Sequence, residues 1–106
     1  MMTLLLLSLL TERTYHQVAL ADVARSSWTH ICTIGIVLSV RRQPDGDWHL
    51  LLAAGPARLI AEVIPLIPIA RPPIGVRVEV CGITRRDRRH HNQAEIHPVE
   101  QLTVLP

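Results

Sequence analysis

Apolar and polar residues alternate with a period of two from Trp28 almost to the end of the chain. This is the pattern of β-strands with one buried face, because successive side chains point to opposite sides of the pleat. In the longest run, Cys32, Ile34, Ile36, Leu38 and Val40 share one parity and are expected to face the core. Thr33, Gly35, Val37, Ser39 and Arg41 share the other, and Gly35 in mid-strand is expected to allow a bulge or a sharp bend. Pro44-Asp45-Gly46 signals a turn within residues 41–47, and the chain returns as a second strand from Trp48 to Ala54. Gly55-Pro56 breaks that strand. A third follows from Arg58 to Ile64, with Leu59, Ala61 and Val63 on one side.

Pro65, Pro68, Pro72 and Pro73 exclude a helix or central strand over residues 65–74, which read as an extended connector across one end of the fold. A fourth strand spans 75–84, its valines alternating with Arg77 and Glu79, and a fifth spans about 93–99. The tail from Val99 to Pro106 is expected to add a turn and a short strand. Ahead of these strands, Leu20, Val23 and Ala24 lie at i, i+3 and i+4, the spacing of a short amphipathic helix. The expected organisation is an apolar N-terminal segment and short helix over 1–27, then one all-β domain over 28–106.

Composition narrows the classes. A chain of 106 residues, 48% hydrophobic, has room for one domain and enough apolar side chain for its core. Two cysteines, Cys32 and Cys81, are too few for a disulfide scaffold. Both fall in expected strands and read as free, buried, small apolar residues, with a disulfide between paired strands as the alternative. The apolar start, Leu4 to Leu10, lacks a positive leading region and a small-residue cleavage site, and is too short to cross a bilayer. It reads as a segment packed on the domain, and the protein as cytoplasmic.

The formal net charge is only +2, so bulk charge indicates no strong affinity for nucleic acid. Its distribution is more informative. All eleven basic residues are arginines, and four of them, with three of the six histidines, fall between Arg85 and Val99. Guanidinium groups bind phosphate and carboxylate through a flat, forked donor set.

Five strands in this order, with a glycine in the middle of the first, resemble the OB-fold, a five-stranded Greek-key barrel; the resemblance covers about Trp28 to Val104. The segments DGDWHLLL (45–52) and EIHPV (95–99) look like those of small, uncharacterised bacterial OB-fold proteins and bring no activity with them. One departure is plain: OB domains often carry a helix between strands three and four, where this chain has prolines. The resemblance implies a barrel order of 1-2-3-5-4, closing on strand 1, and a ligand lying across strands 2 and 3. It would be flanked by the loops joining strands 1–2 and 4–5. Here those loops are 41–47 and 85–92. They hold Arg41, Arg42, Arg85, Arg86, Arg88 and Arg89, six of the eleven arginines.

Three readings follow. In the first, the protein is a non-catalytic module that binds nucleic acid, with those six arginines on phosphates and Trp48 as the stacking platform. Asp45 and Asp47 cancel the charge of the first loop, whereas residues 85–91 sum to +3. Few aromatics are present: one tyrosine, two tryptophans and no phenylalanine. In the second, His49, Glu62, Glu95 and His97, with Asp87 or His91 from the loop, hold zinc or another divalent metal and form a small, hydrolytic site. The plainer role for these groups is histidines hydrogen-bonded to neighbouring carboxylates. In the third, the protein is an adaptor that binds a protein partner or a second copy through Leu4 to Leu10. No Gly-rich phosphate loop, nucleophile elbow, HExxH or CxxC occurs, and no cofactor is expected on the first reading.

Overall fold

The computed structural model describes residues 14–87 and 93–106. The expectations for Leu4 to Leu10, Arg88, Arg89 and His91 lie outside the described residues. A two-residue strand, β1 (His16–Gln17), leads into a 3-10 helix, η1 (Leu20–Arg25). Five strands follow: β2 (His30–Arg42), β3 (Trp48–Ala54), β4 (Ala57–Val63), β5 (Arg77–Asp87) and β6 (Gln93–Val104). They pair in the order β1-β2-β3-β4-β6-β5, and β5 returns to β2, closing a five-stranded OB-like barrel. All pairings in the barrel are antiparallel except β4 with β6.

The core is the inward parity of each strand. Leu50, Leu52, Ala61, Val78, Val80, Ile96 and Val99 are fully buried, with Leu59 and Val63 beside them. On β2 the expected parity is reversed. Ile31, Thr33, Gly35 and Val37 face inward, while Ile34, Ile36 and Leu38 are about two-fifths exposed. Two features explain this. Leu20 of η1 packs so closely on Gly35 that a Cβ there would lie 2.7 Å from its Cδ1, so this face must be the inner one. A register shift between Val37 and Ser39 then restores Val40 to the inner side, opposite Leu50. The bulge therefore falls after Gly35 rather than at it.

Two short segments pack on the barrel. At one end η1 inserts Leu20 and Val23 into the core; Ala24, expected to join them, is exposed. At the other, the proline-rich connector crosses as expected, with Ile69 packed on the core and Arg71 over the Trp48 ring.

The tail is not a separate element. Strand β6 runs unbroken through Pro98 to Val104 because its pairing with β5 shifts register twice around Gly82. A Cβ on Gly82 would lie 2.3 Å from the Pro98 carbonyl oxygen, so only glycine admits this approach. Cys32 and Cys81 are directly opposed on β2 and β5 and form a disulfide, correcting the reading of both as free thiols. They sit where two strands of the closed barrel meet, a contact that spacing along the chain does not reveal. Among the described residues, no helix is long and apolar enough to cross a membrane.

Candidate functional site

Register defines one continuous outer face on β3, β4 and β6. His49 lies opposite Glu62, Leu51 opposite Ile60 and Ala53 opposite Arg58, while Ile60 and Ala61 align with Glu95 and Ile96. Since Leu50, Ala61 and Ile96 point into the core, His49, Glu62, Glu95 and His97 all lie outside it, as expected. The β2–β3 loop bounds this face at the Trp48 end. Because β6 runs parallel to β4, its first residue Gln93 lies at the opposite end of this face, beside Arg58. A groove of about 410 Å³ at that end is lined by Ala21, Ala24, Leu51, Arg58, Ile60 and Ala94.

The expected phosphate contacts divide into two kinds. Arg41 and Arg42, at the end of β2, are exposed, and among the described residues neither side chain forms a hydrogen bond or salt bridge. They sit across the ladder from His49 and Trp48. Arg85 and Arg86 are already engaged by the protein. Arg85 Nε donates to Glu95 Oε1 at 2.9 Å, and Glu95 is only 4% exposed. Arg86 Nη2 donates to the Ala24 carbonyl, tying β5 to η1. The basic strand end is thus partly a structural device.

Trp48 is half-buried and packs against the core, and the Arg71 guanidinium covers its ring at 3.6 Å from the centroid. One face of the expected stacking platform is thus occupied. The exposed indole is Trp28, at 77% exposure, held by its backbone N–H on the Thr84 carbonyl next to Arg85. Sequence reasoning passed over Trp28 because it precedes β2 as an isolated aromatic. It also passed over Arg71, which belongs to a connector with no periodicity.

The histidine–carboxylate group is rearranged. Glu62, buried on β4, is its centre: His49 Nε2 lies 2.6 Å from Oε1 and His97 Nε2 lies 2.8 Å from Oε2. Asp47, from the β2–β3 loop, approaches His97 Nε2 at 3.9 Å. Asp47, Glu62 and His97 offer ligand atoms all within 4.8 Å of one another. Glu95, expected to belong here, is paired with Arg85. The Asp87 backbone pairs with Gln93 at the far end of β5. A second cluster, Cys32, Glu79 and Cys81, has both sulfurs committed to the disulfide.

No protein-family model matches the chain, and no curated protein matches it. Among solved structures, it is similar to the asparaginyl-tRNA synthetase of Pyrococcus horikoshii (TM-score 0.71, 20% identity, 87% of this chain and 23% of that one). It is also similar to the telomere capping protein Ten1 of Saccharomyces pombe (TM-score 0.63, 14% identity, 86% and 81%), which has a second structure in complex with Stn1. A third neighbour is a Replication Protein A heterotrimer bound to ssDNA (TM-score 0.59, 12% identity, 73% and 57%). The chain spans less than a quarter of the synthetase chain it matches. At these identities the likeness establishes the fold alone, a small OB-like barrel.

Proposed function

We propose that the protein is a non-catalytic OB-fold module that binds a nucleic-acid backbone across the outer face of β3, β4 and β6. The observation that carries this reading is the pair of exposed, unengaged guanidinium groups of Arg41 and Arg42 at one end of that face. The basic stretch from Arg85 to Arg89 adds four arginines in sequence. Phosphate contacts of this kind dominate non-specific nucleic-acid affinity. Arg71, at the same end, extends the cationic rim. Trp28 supplies an exposed surface on which a base can stack, and Trp48 with the Arg71 over its ring a second stacked edge. Arg88 and Arg89 would contribute from the loop, while Arg85 and Arg86 hold the barrel together. The ssDNA bound by the Replication Protein A neighbour supports the choice of ligand; the Stn1–Ten1 complex makes a protein partner the rival. The likeness of residues 45–52 and 95–99 to small bacterial OB-fold proteins is consistent with a freestanding module and adds no activity.

The test is fluorescence anisotropy with labelled single- and double-stranded oligonucleotides. Micromolar or tighter binding that weakens as salt rises supports the proposal. Absence of binding to either strand type, by protein with an intact far-UV spectrum, refutes it and turns attention to protein partners.

A further inference from the structure

We propose that Asp47, Glu62 and His97 form a zinc site that fastens the β2–β3 loop to the sheet, with His49 bracing Glu62 through its other oxygen. This does not depend on the nucleic-acid reading. The donor set is one imidazole and two carboxylates, which suits zinc and neighbouring transition metals, whereas calcium and magnesium prefer all-oxygen shells. With a neutral histidine the three groups carry a charge of −2, matching a divalent ion.

The geometry is close to what the ion requires. Tetrahedral ligands at about 2.0–2.1 Å from zinc lie roughly 3.4 Å from one another. The His97-to-Glu62 distance is 2.8 Å and the His97-to-Asp47 distance is 3.9 Å, each within about 0.6 Å of that span, and all three ligand atoms lie within 4.8 Å of one another. Glu62 and His97 stand on the paired strands β4 and β6, so their spacing is set by the ladder. Asp47 is on a turn already pinned by the Gln43 N–H to Asp47 carbonyl bond (2.7 Å) and by the Asp47 N–H to Asp45 Oδ1 bond (2.9 Å). Glu62 has a side chain only 9% exposed with an imidazole on each oxygen, so it is held in place before any ion arrives. With three protein ligands the fourth position is left to a water, and what the ion does here is tie the loop to β4 and β6. Because His49 holds the ion's Glu62 and is directly opposite Arg41, zinc would also steady the strand end that carries the exposed arginines.

The experiment is zinc titration of untagged, EDTA-treated and dialysed protein, followed by calorimetry and by thermal melting. Wild type is expected to bind one zinc per chain. At about a hundredfold excess of zinc over the dissociation constant, the melting temperature should rise by roughly 10 °C. Asp47→Asn and His97→Asn should each weaken binding at least tenfold, while His16→Asn, on the exposed strand β1, should bind as wild type does. Cobalt(II) substituted for zinc should give the intense visible absorption of a tetrahedral site in wild type and lose it in Asp47→Asn. Asp47 lies in a loop, so that variant keeps the test readable if sheet substitutions unfold the protein. Absence of stoichiometric zinc binding, or binding indifferent to Asp47 and His97, overturns the proposal.

Discussion

Replacing Arg85 with alanine should destabilise the barrel, whatever it does to ligand binding. The Arg85 Nε to Glu95 Oε1 bond of 2.9 Å joins side chains that are 36% and 5% exposed. Removing one partner of a fully buried ion pair costs about 3–5 kcal/mol, because the other charge is left without compensation. An exposed pair contributes only about 0–1 kcal/mol. Here the carboxylate is buried and the guanidinium is one-third in water, so the loss should fall between these limits, at about 2–3 kcal/mol. For a domain of this size that lowers the melting temperature by roughly 10–15 °C. Urea denaturation followed by tryptophan fluorescence reads the change directly. The double variant Arg85→Met/Glu95→Leu removes both charges and should recover most of the loss, since an apolar pair of similar volume can replace a buried ion pair at little cost. An Arg85→Ala variant within about 0.5 kcal/mol of wild type would refute the reasoning. So would a double variant as unstable as the single. If the prediction holds, lost binding in any variant that includes Arg85 cannot be read as a lost phosphate contact.

Three further expectations follow from packing. Gly82→Ala should cost about 3 kcal/mol or more, because the new methyl meets the Pro98 carbonyl and the Val99 Cα, backbone that cannot move aside; a soluble variant melting like wild type would contradict this. Thr33→Val should stabilise by about 1 kcal/mol, since its buried hydroxyl has no hydrogen-bond partner among the described residues; a lower urea midpoint would argue for a partner. The Cys32→Ala/Cys81→Ala pair should lose about 2–4 kcal/mol, as the disulfide closes a separation of 49 residues. Unchanged midpoints with and without reductant would show that the bond contributes nothing.

Much of this architecture was legible in the sequence. The strand positions, the Pro-Asp-Gly hairpin, the inward set Leu59, Ala61 and Val63, and the proline connector express local rules, whereas the barrel order was implied by the resemblance to the OB-fold. What escaped detection depended on contacts distant in sequence. The face of β2 was misread because Ile34, Ile36 and Leu38 are as apolar as the inner residues. Only the approach of Leu20 to Gly35 decides between the two parities. The Cys32–Cys81 bond depends on barrel closure, which joins the first and fourth barrel strands. Glu62 and Glu95 both have the outward parity, and nothing in their spacing says that one receives two histidines and the other an arginine. Trp48 was placed correctly at the start of its strand, but the arginine that covers it comes from a segment without periodicity.

The most direct test of the central claim is the salt dependence of oligonucleotide binding in wild type and an Arg41→Gln/Arg42→Gln variant. Among the described residues neither arginine's side chain forms a hydrogen bond or salt bridge, so the variant should melt as wild type does. Each lost phosphate contact lowers the steepness of log K against log salt by about 0.7 on a single strand. The account predicts weaker binding and a slope flatter by about 1.4 for the double variant. Wild-type affinity and slope in that variant would contradict it, and would remove these arginines from the interface.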